Sequence, residues 1–254
     1  MPERPRYAIL GRGQWAGRMQ SLLEGEGCGV TCVANTRREP SESEESYTAR
    51  LASALRGSGA EIAWLCVTPG PHVAWMIEAA IDAGVHVIAE KPWLASASET
   101  EKLAGVAKRR GIALGVHFEY CLLDEIETWR ERYQNTHGLR FGGRFTISRA
   151  DRLGIPAAMN LGCHLLAMRK HAIPKSEIAE LSCAYESRDE RRVWVENDSI
   201  DFTHNRQPVI QRFIHRFEAA IDGAEFPFGT EFALSVAEDL LRCPVPQTAP
   251  SQQP

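Results

Sequence analysis

No stretch of the sequence approaches the ~20 continuous apolar residues that a membrane-spanning helix needs, so no span is predicted. The charged start, Met1 to Arg6, leads into an apolar run too short for the core of a signal peptide. An excess of one charge is also lacking. With 29 basic against 33 acidic residues the formal net charge is −4, which gives no general electrostatic pull on nucleic acid. The 7 cysteines are an odd number and contain no Cys-x-x-Cys. Cys28 and Cys32 have no second pair of ligands, so neither a zinc site nor a disulfide framework is expected. Reduced thiols in a cytoplasm fit this usage best. Internal repeats and a serine-nucleophile motif are missing too. What remains is a chain of 254 residues, long enough for one large or two modest domains with hydrophobic cores.

The first half alternates strands and helices. Tyr7 to Leu10 reads as a buried strand, and it runs into Gly11-Arg12-Gly13-Gln14-Trp15-Ala16 before a helical pattern with Met19, Leu22 and Leu23. A strand, a glycine turn and a helix start form the dinucleotide fingerprint. Gly11 allows the turn and Gly13 lets the backbone approach a pyrophosphate. Ala16 permits close helix–strand packing, and the helix N-terminus offers N–H groups to the anion. The other reading is a tight turn with no nucleotide. A second strand, Val30 to Ala34, ends in Asn35-Thr36-Arg37-Arg38. An acidic residue there would bind the ribose 2′-hydroxyl of NAD, whereas arginine accommodates a 2′-phosphate. The acid is missing and two arginines are present, so NADP is expected ahead of NAD, unless these arginines only neutralise the acidic 39–45 stretch.

Further along, a helix is expected from Glu42 to Arg56 and a strand from Ile62 to Val67, broken at Thr68-Pro69-Gly70-Pro71-His72. A helix from His72 to Ala83 then leads to the β-branched run Val85 to Ala89. That run stops at Glu90-Lys91-Pro92, because proline cannot continue the ladder. Ligands of open α/β sheets lie beyond the carboxyl ends of strands, so Lys91 is placed either at a site or on a loop surface. Helix Ser98 to Arg110 and strand Ile112 to Val116 complete the sheet.

The glycine turn with Trp15-Ala16, Thr68-Pro69-x-x-His72 after a strand and Ala89-Glu90-Lys91-Pro92 after the next occur in this order. Together they resemble the glucose–fructose oxidoreductase/inositol dehydrogenase family, Gfo/Idh/MocA, over residues 6 to about 120. The resemblance implies an N-terminal Rossmann domain, residues 1–120, and a smaller α+β domain with a mostly antiparallel sheet, residues 121–243; the Pro/Gln-rich tail at 244–254 is expected to be disordered from its composition. It also implies that Lys91 lies near the nicotinamide and the reacting oxygen, and that Lys91–Pro92 is a candidate for a cis peptide. Gly11, Gly13, Gln14, Trp15, Ala16, Asn35, Thr36, Arg37, Arg38, Thr68, Pro69, His72, Glu90 and Lys91 are then the expected cofactor contacts.

In the second half a helix is expected from Asp124 to Gln134. Strands are expected at Arg144 to Ser148, Ile178 to Glu186, Arg192 to Glu196 and Ile200 to Thr203, the last three linked shortly enough to imply antiparallel pairing. Arg188, Arg191 and Arg192 read as a solvated hairpin, the other choice being a phosphate site. Helices over Pro208 to Ile221 and Thr230 to Leu241 close the chain. Between the strands, Asn160-Leu161-Gly162-Cys163-His164-Leu165-Leu166-Ala167 stands where the family carries Asp-x-Gly-x-His-x-x-Asp. His164 is the matching histidine, a general acid/base with Asn160 on the same helix face at i and i+4. Asn160 and Ala167 replace the two carboxylates, and asparagine cannot take a proton.

The resemblance therefore implies an NAD(P)-dependent oxidoreductase acting on a carbon–oxygen bond of a sugar-like or cyclitol-like substrate. A redox-neutral epimerase or lyase with retained cofactor, and a non-catalytic nucleotide-binding scaffold, are the alternatives. No metal is expected, and self-association into a dimer through an open apolar face of the second sheet is.

Overall fold

The computed structural model describes residues 4–33, 36–148, 155–204 and 207–242. It divides into two compact units: residues up to His117 with Arg216–Leu234, and Phe118–His215 with the stretch from Ser235 on.

In the first unit, strands β1 (Tyr7–Leu10), β2 (Val30–Val33), β3 (Ile62–Leu65), β4 (His86–Ala89) and β5 (Leu114–Val116) form one sheet in the order β2-β1-β3-β4-β5. All its pairings are parallel. The central strands β1 and β3 are unbroken apolar runs because a parallel sheet is buried on both faces, and every side chain of theirs is buried, whereas Thr31 and Cys32 of the edge strand β2 are exposed. Helices α1 (Gln14–Gly25), α2 (Glu44–Ser58), α3 (His72–Ala83) and α4 (Ala97–Arg109) connect them. Local chemistry sets their ends. The Ser43 side chain caps α2, and Ser96 with Glu99 makes a capping box on α4. The strand order reverses between β1 and β3, which makes the carboxyl ends of these two strands the switch point of the sheet.

Residues 216–234, which the sequence assigns to the second domain, cluster with the first. Glycine at position 115 is what admits them. A Cβ there would lie 2.6 Å from the Phe226 ring and 2.9 Å from the Phe217 ring. The Val116 N–H donates to the Phe228 carbonyl at 2.8 Å. At the other end of the sheet the Glu218 carboxylate takes both Arg4, at 2.9 and 3.0 Å, and the Tyr7 hydroxyl, at 2.9 Å.

In the second unit, a 3-10 turn (Glu119–Leu122) and α5 (Asp124–Tyr133) precede β6 (Arg140–Ile147), α6 (Ala157–Ala172), β7 (Glu177–Tyr185), β8 (Glu190–Val195) and β9 (Asp198–Asp201). The sheet order is β7-β6-β8-β9, with β6–β7 parallel and the other two pairings antiparallel. The expected pairing of β7 with β8 is therefore wrong. Their short link crosses the end of β6, which sits between them, while α6 provides the crossover that the parallel pair requires. Gly143 lets α6 approach, since a Cβ there would meet Leu165 at 2.8 Å. Helices α7 (Gln207–Ile221) and α8 (Thr230–Arg242) contribute to both units.

Two other expectations are corrected. Arg191 is no solvated hairpin residue. Strand alternation places it with Val193 and Val195, fully buried, where it stacks 5.2 Å from the Phe145 ring and donates to the Thr203 carbonyl at 2.6 Å and Asp189 at 2.6 Å. The opposite face of this sheet is mixed rather than apolar: the half-buried Trp194 lies over Gly142, and beside it Arg144 pairs with Glu186 at 3.2 Å and Glu190 at 3.0 Å. The tail at 244–254 lies outside the described residues.

Candidate functional site

The glycine turn follows β1 at the switch point. Gly11 has φ 139°, and a Cβ on it would overlap the Cys66 carbonyl oxygen, so the fold itself requires glycine. Gly13 is different. It is the N-cap of α1 in ordinary extended backbone, no side chain caps the helix, and no acidic residue stands in the first turn. A Cβ on Gly13 would meet nothing within 4 Å. The protein has no steric use for glycine there, and the N–H groups of the first turn carry no side-chain cap. That is a cradle of the kind a pyrophosphate fills. Ala16 is buried against the sheet, and Gln14 is exposed.

At the carboxyl end of β4, Glu90 turns inward. Its Oε1 accepts from the Trp15 indole at 2.6 Å and the Trp64 indole at 3.0 Å, and lies 3.2 Å from His117 Nδ1. Burial pushes the Glu90 carboxyl up, but His117, Trp15 and Lys91 outweigh it and hold it below its ordinary value. The His117 ring stacks edge-on to Trp64 at 5.0 Å. One ionised carboxylate thus ties together the glycine turn, β3, the residue after β5 and the strand end that carries Lys91. The Lys91–Pro92 peptide is cis. Beyond it, Trp93 is buried and donates to the Thr100 hydroxyl at 2.9 Å. A cavity of about 370 Å³ lies here, bounded by Pro69, Val73, Glu90, Pro92, Trp93 and Leu103 among others. Thr68 is exposed and Pro69 half-buried in the loop after β3. His72 opens α3, its pKa pushed down by burial and partly restored by a hydrogen bond with the Thr68 backbone.

After β2, Asn35 lies outside the described residues. The Thr36 carbonyl accepts from the Tyr47 hydroxyl at 2.7 Å. Arg38 donates from Nε to the Glu42 carbonyl at 2.8 Å and stacks 5.0 Å from the Trp75 ring, while Arg37 is exposed.

In the second unit, α6 carries His164, which is buried. The Tyr120 ring lies edge-on to it at 4.8 Å, and the Phe145 ring is tilted against it at 5.6 Å. Asn160 donates to the Tyr185 hydroxyl at 3.3 Å, and that hydroxyl donates to the Ile155 carbonyl at 2.8 Å. Ala167 is buried. Neither position of α6 supplies a carboxylate, but one comes from another element: Glu119 Oε2 stands 4.0 Å from His164 Nδ1 and is itself buried. His117, Trp64, Glu119 and Tyr120 were missed as site residues. Position would have flagged three of them, since His117-Phe118-Glu119-Tyr120 follows a strand's carboxyl end. Among the described residues no group of three His, Cys, Asp or Glu side chains is placed to hold a metal ion.

Residues 5–118 match a family model described as an oxidoreductase family with an NAD-binding Rossmann fold. This stretch is similar to the Gfo/Idh/MocA family. The glycine turn, the Thr68-Pro69 loop and Glu90-Lys91-Pro92 all fall within it. Among curated relatives, an uncharacterized oxidoreductase of Bacillus subtilis is 27% identical over 156 residues, 53% of this chain and 39% of that protein. The dTDP-3,4-didehydro-2,6-dideoxy-alpha-D-glucose 3-reductase of Saccharopolyspora spinosa is 28% identical over 116 residues, 43% of this chain and 35% of that protein. Each match thus spans well under half of the relative's length. The likeness in fold runs further along the chain. The WlbA dehydrogenase of Thermus thermophilus, solved with NAD and alpha-ketoglutarate, superposes with a TM-score of 0.74 at 16% identity, covering 98% of this chain and 99% of its own. The UDP-N-acetylglucosamine 3-dehydrogenase GnnA of Acidithiobacillus ferrooxidans gives 0.73 at 16% identity, covering 94% and 96%. Among the described residues no helix is long and apolar enough to cross a membrane.

Proposed function

We propose that this chain is an NAD(P)-dependent oxidoreductase acting on a CH–OH or C=O group of a sugar-like substrate, nucleotide-linked sugars being the first class to try. The observation that carries this reading is the open cradle at Gly13, tied through Trp15 and Glu90 to the strand end bearing Lys91. The relatives that act on nucleotide sugars support the substrate class. A bound nicotinamide would supply the hydride acceptor or donor. Backbone N–H groups of Gln14, Trp15 and Ala16 hold the pyrophosphate, and Thr68, Pro69 and His72 line the cofactor's path. The Lys91 ammonium stabilises charge developing on the reacting oxygen. His164 exchanges the proton, with Glu119 beside its Nδ1 and Asn160 serving as hydrogen-bond donor. NADP is preferred over NAD, because Arg37 and Arg38 follow β2 where an acid would select the unphosphorylated ribose. A homodimer on the outer face of the second sheet belongs to the same reading, resting on the half-buried Trp194 beside the charged Arg144, Glu186 and Glu190.

The test is absorbance at the reduced-nicotinamide band over a panel of nucleotide sugars, free sugars and cyclitols with each cofactor. Turnover with at least one supports the reading. Binding of the cofactor with no turnover across the panel overturns it in favour of a nucleotide-binding scaffold.

A further inference from the structure

The loop after β2 is built more elaborately than a surface turn needs. Arg50 of α2 grips it from one side, bonding the Glu42 carboxylate at 2.7 and 2.9 Å and the Arg37 carbonyl at 3.1 Å. Tyr47 of α2 bonds the Thr36 carbonyl at 2.7 Å and packs edge-on to Trp75 of α3 at 6.4 Å. Glu42 Oε2 also accepts from the Glu39 N–H at 3.2 Å. Within this cage Arg38 is fixed at two points. Its Nε donates to the Glu42 carbonyl at 2.8 Å, and its guanidinium lies 5.0 Å from the Trp75 ring. Among the described residues no hydrogen bond takes up the terminal N–H groups of Arg38. A guanidinium with its Nε tied and one face against an indole presents its remaining N–H groups as a planar fork, the geometry that matches a phosphate in a bidentate contact.

We propose that Trp75, which lies outside every motif of the dinucleotide fingerprint, is the positioning residue for cofactor choice: by stacking on Arg38 it presents that guanidinium to a nucleoside 2′-phosphate. This rests on the NADP reading above and adds to it the residue that makes the arginine selective. An unpositioned arginine would lose side-chain entropy on binding, and the indole removes that cost beforehand. Arg37, exposed and without such a clamp, is the weaker contributor.

The probes are 2′,5′-ADP and 5′-AMP, which differ only in the 2′-phosphate and need no nicotinamide or substrate. Titration of the full chain should show 2′,5′-ADP bound roughly tenfold or more tighter in the wild type. Trp75→Leu should cut that ratio roughly threefold or more with 5′-AMP affinity unchanged, and Trp75→Phe should restore most of it, because a ring face is again available. The unchanged 5′-AMP affinity also reports that the variant is folded. If Trp75→Leu leaves the ratio intact while Arg38→Ala abolishes it, the inference is overturned and the NADP reading stands. If the wild-type ratio is near one, both fall.

Discussion

Gly11 and Gly13 are two residues apart, yet the structure assigns them opposite kinds of necessity, and replacing each with alanine separates fold from ligand. At Gly11 the new Cβ overlaps the Cys66 carbonyl oxygen and the backbone stays at φ 139°. Strained backbone costs about 1–3 kcal/mol, and overpacking against an immobile carbonyl about 1–3 more. Gly11→Ala should therefore lose about 2–6 kcal/mol, which for a chain of this size lowers Tm by some 2–4 °C per kcal/mol. At Gly13 the added methyl meets nothing within 4 Å. Alanine is the poorer N-cap by under ~1 kcal/mol, and the restricted unfolded chain returns about 0.4–1 kcal/mol, so Tm should barely move. The methyl instead stands where a pyrophosphate must approach. Thermal unfolding with and without dinucleotide reads both effects at once. Ligand at a hundred times Kd stabilises the wild type by ~2.7 kcal/mol, and Gly13→Ala should lose most of that gain. Equal ligand stabilisation in Gly13→Ala and wild type would refute the cradle. So would a Gly13→Ala protein as unstable as Gly11→Ala.

Other outcomes follow from the same geometry. Gly115→Ala puts a methyl 2.6 Å from Phe226 and 2.9 Å from Phe217, so chemical denaturation should show a loss of about 1–3 kcal/mol. Glu90 has a folded pKa below its ordinary 4.5, so its contribution to stability is complete above that pH and disappears as pH falls through the lower folded value. Glu90→Gln should lose about 1–3 kcal/mol at neutral pH and titrate less steeply on the acid side, and stability curves from pH 7 to 3 check this. For the proposed chemistry, His164→Ala should reduce turnover ~10²–10⁴-fold. Glu119→Gln should leave dinucleotide affinity unchanged while moving the pH–rate profile, since it replaces the titratable group beside His164; an unmoved profile would count against a role for Glu119.

What could be read from the sequence depended on whether its signal was local. Helix α3 begins at His72 and ends at Ala83 as expected, because Pro71 precedes it and Gly84, with φ 78°, takes the left-handed C-cap. The central strands of the first sheet, β1 and β3, were legible as apolar runs, since both their faces are buried. The placing of β6 was not: four residues between β7 and β8 suit a hairpin as well as a link across one strand end, and only packing against α6 decides. Arg191 misled because a charged residue in an alternating strand was assigned to solvent, whereas Phe145 and Asp189 give it a buried place. The site divides in the same way. Gly11, Gly13 and Lys91 announce themselves by position after strands. The partners of Glu90 are Trp15, Trp64 and His117, distant along the chain, and Glu119 reaches His164 from another element, so no spacing rule joins them.

The central claim is that Lys91 sits where a nicotinamide cofactor meets its substrate. It is tested most directly by comparing wild type with Lys91→Ala under two readouts: dinucleotide affinity by titration, and single-turnover change of the reduced-nicotinamide band with an accepted sugar substrate. The account predicts affinity within a few-fold of wild type, because backbone N–H groups hold the pyrophosphate, and a single-turnover rate lower by ~10²-fold or more. A Lys91→Ala protein that turns over at the wild-type rate would contradict it.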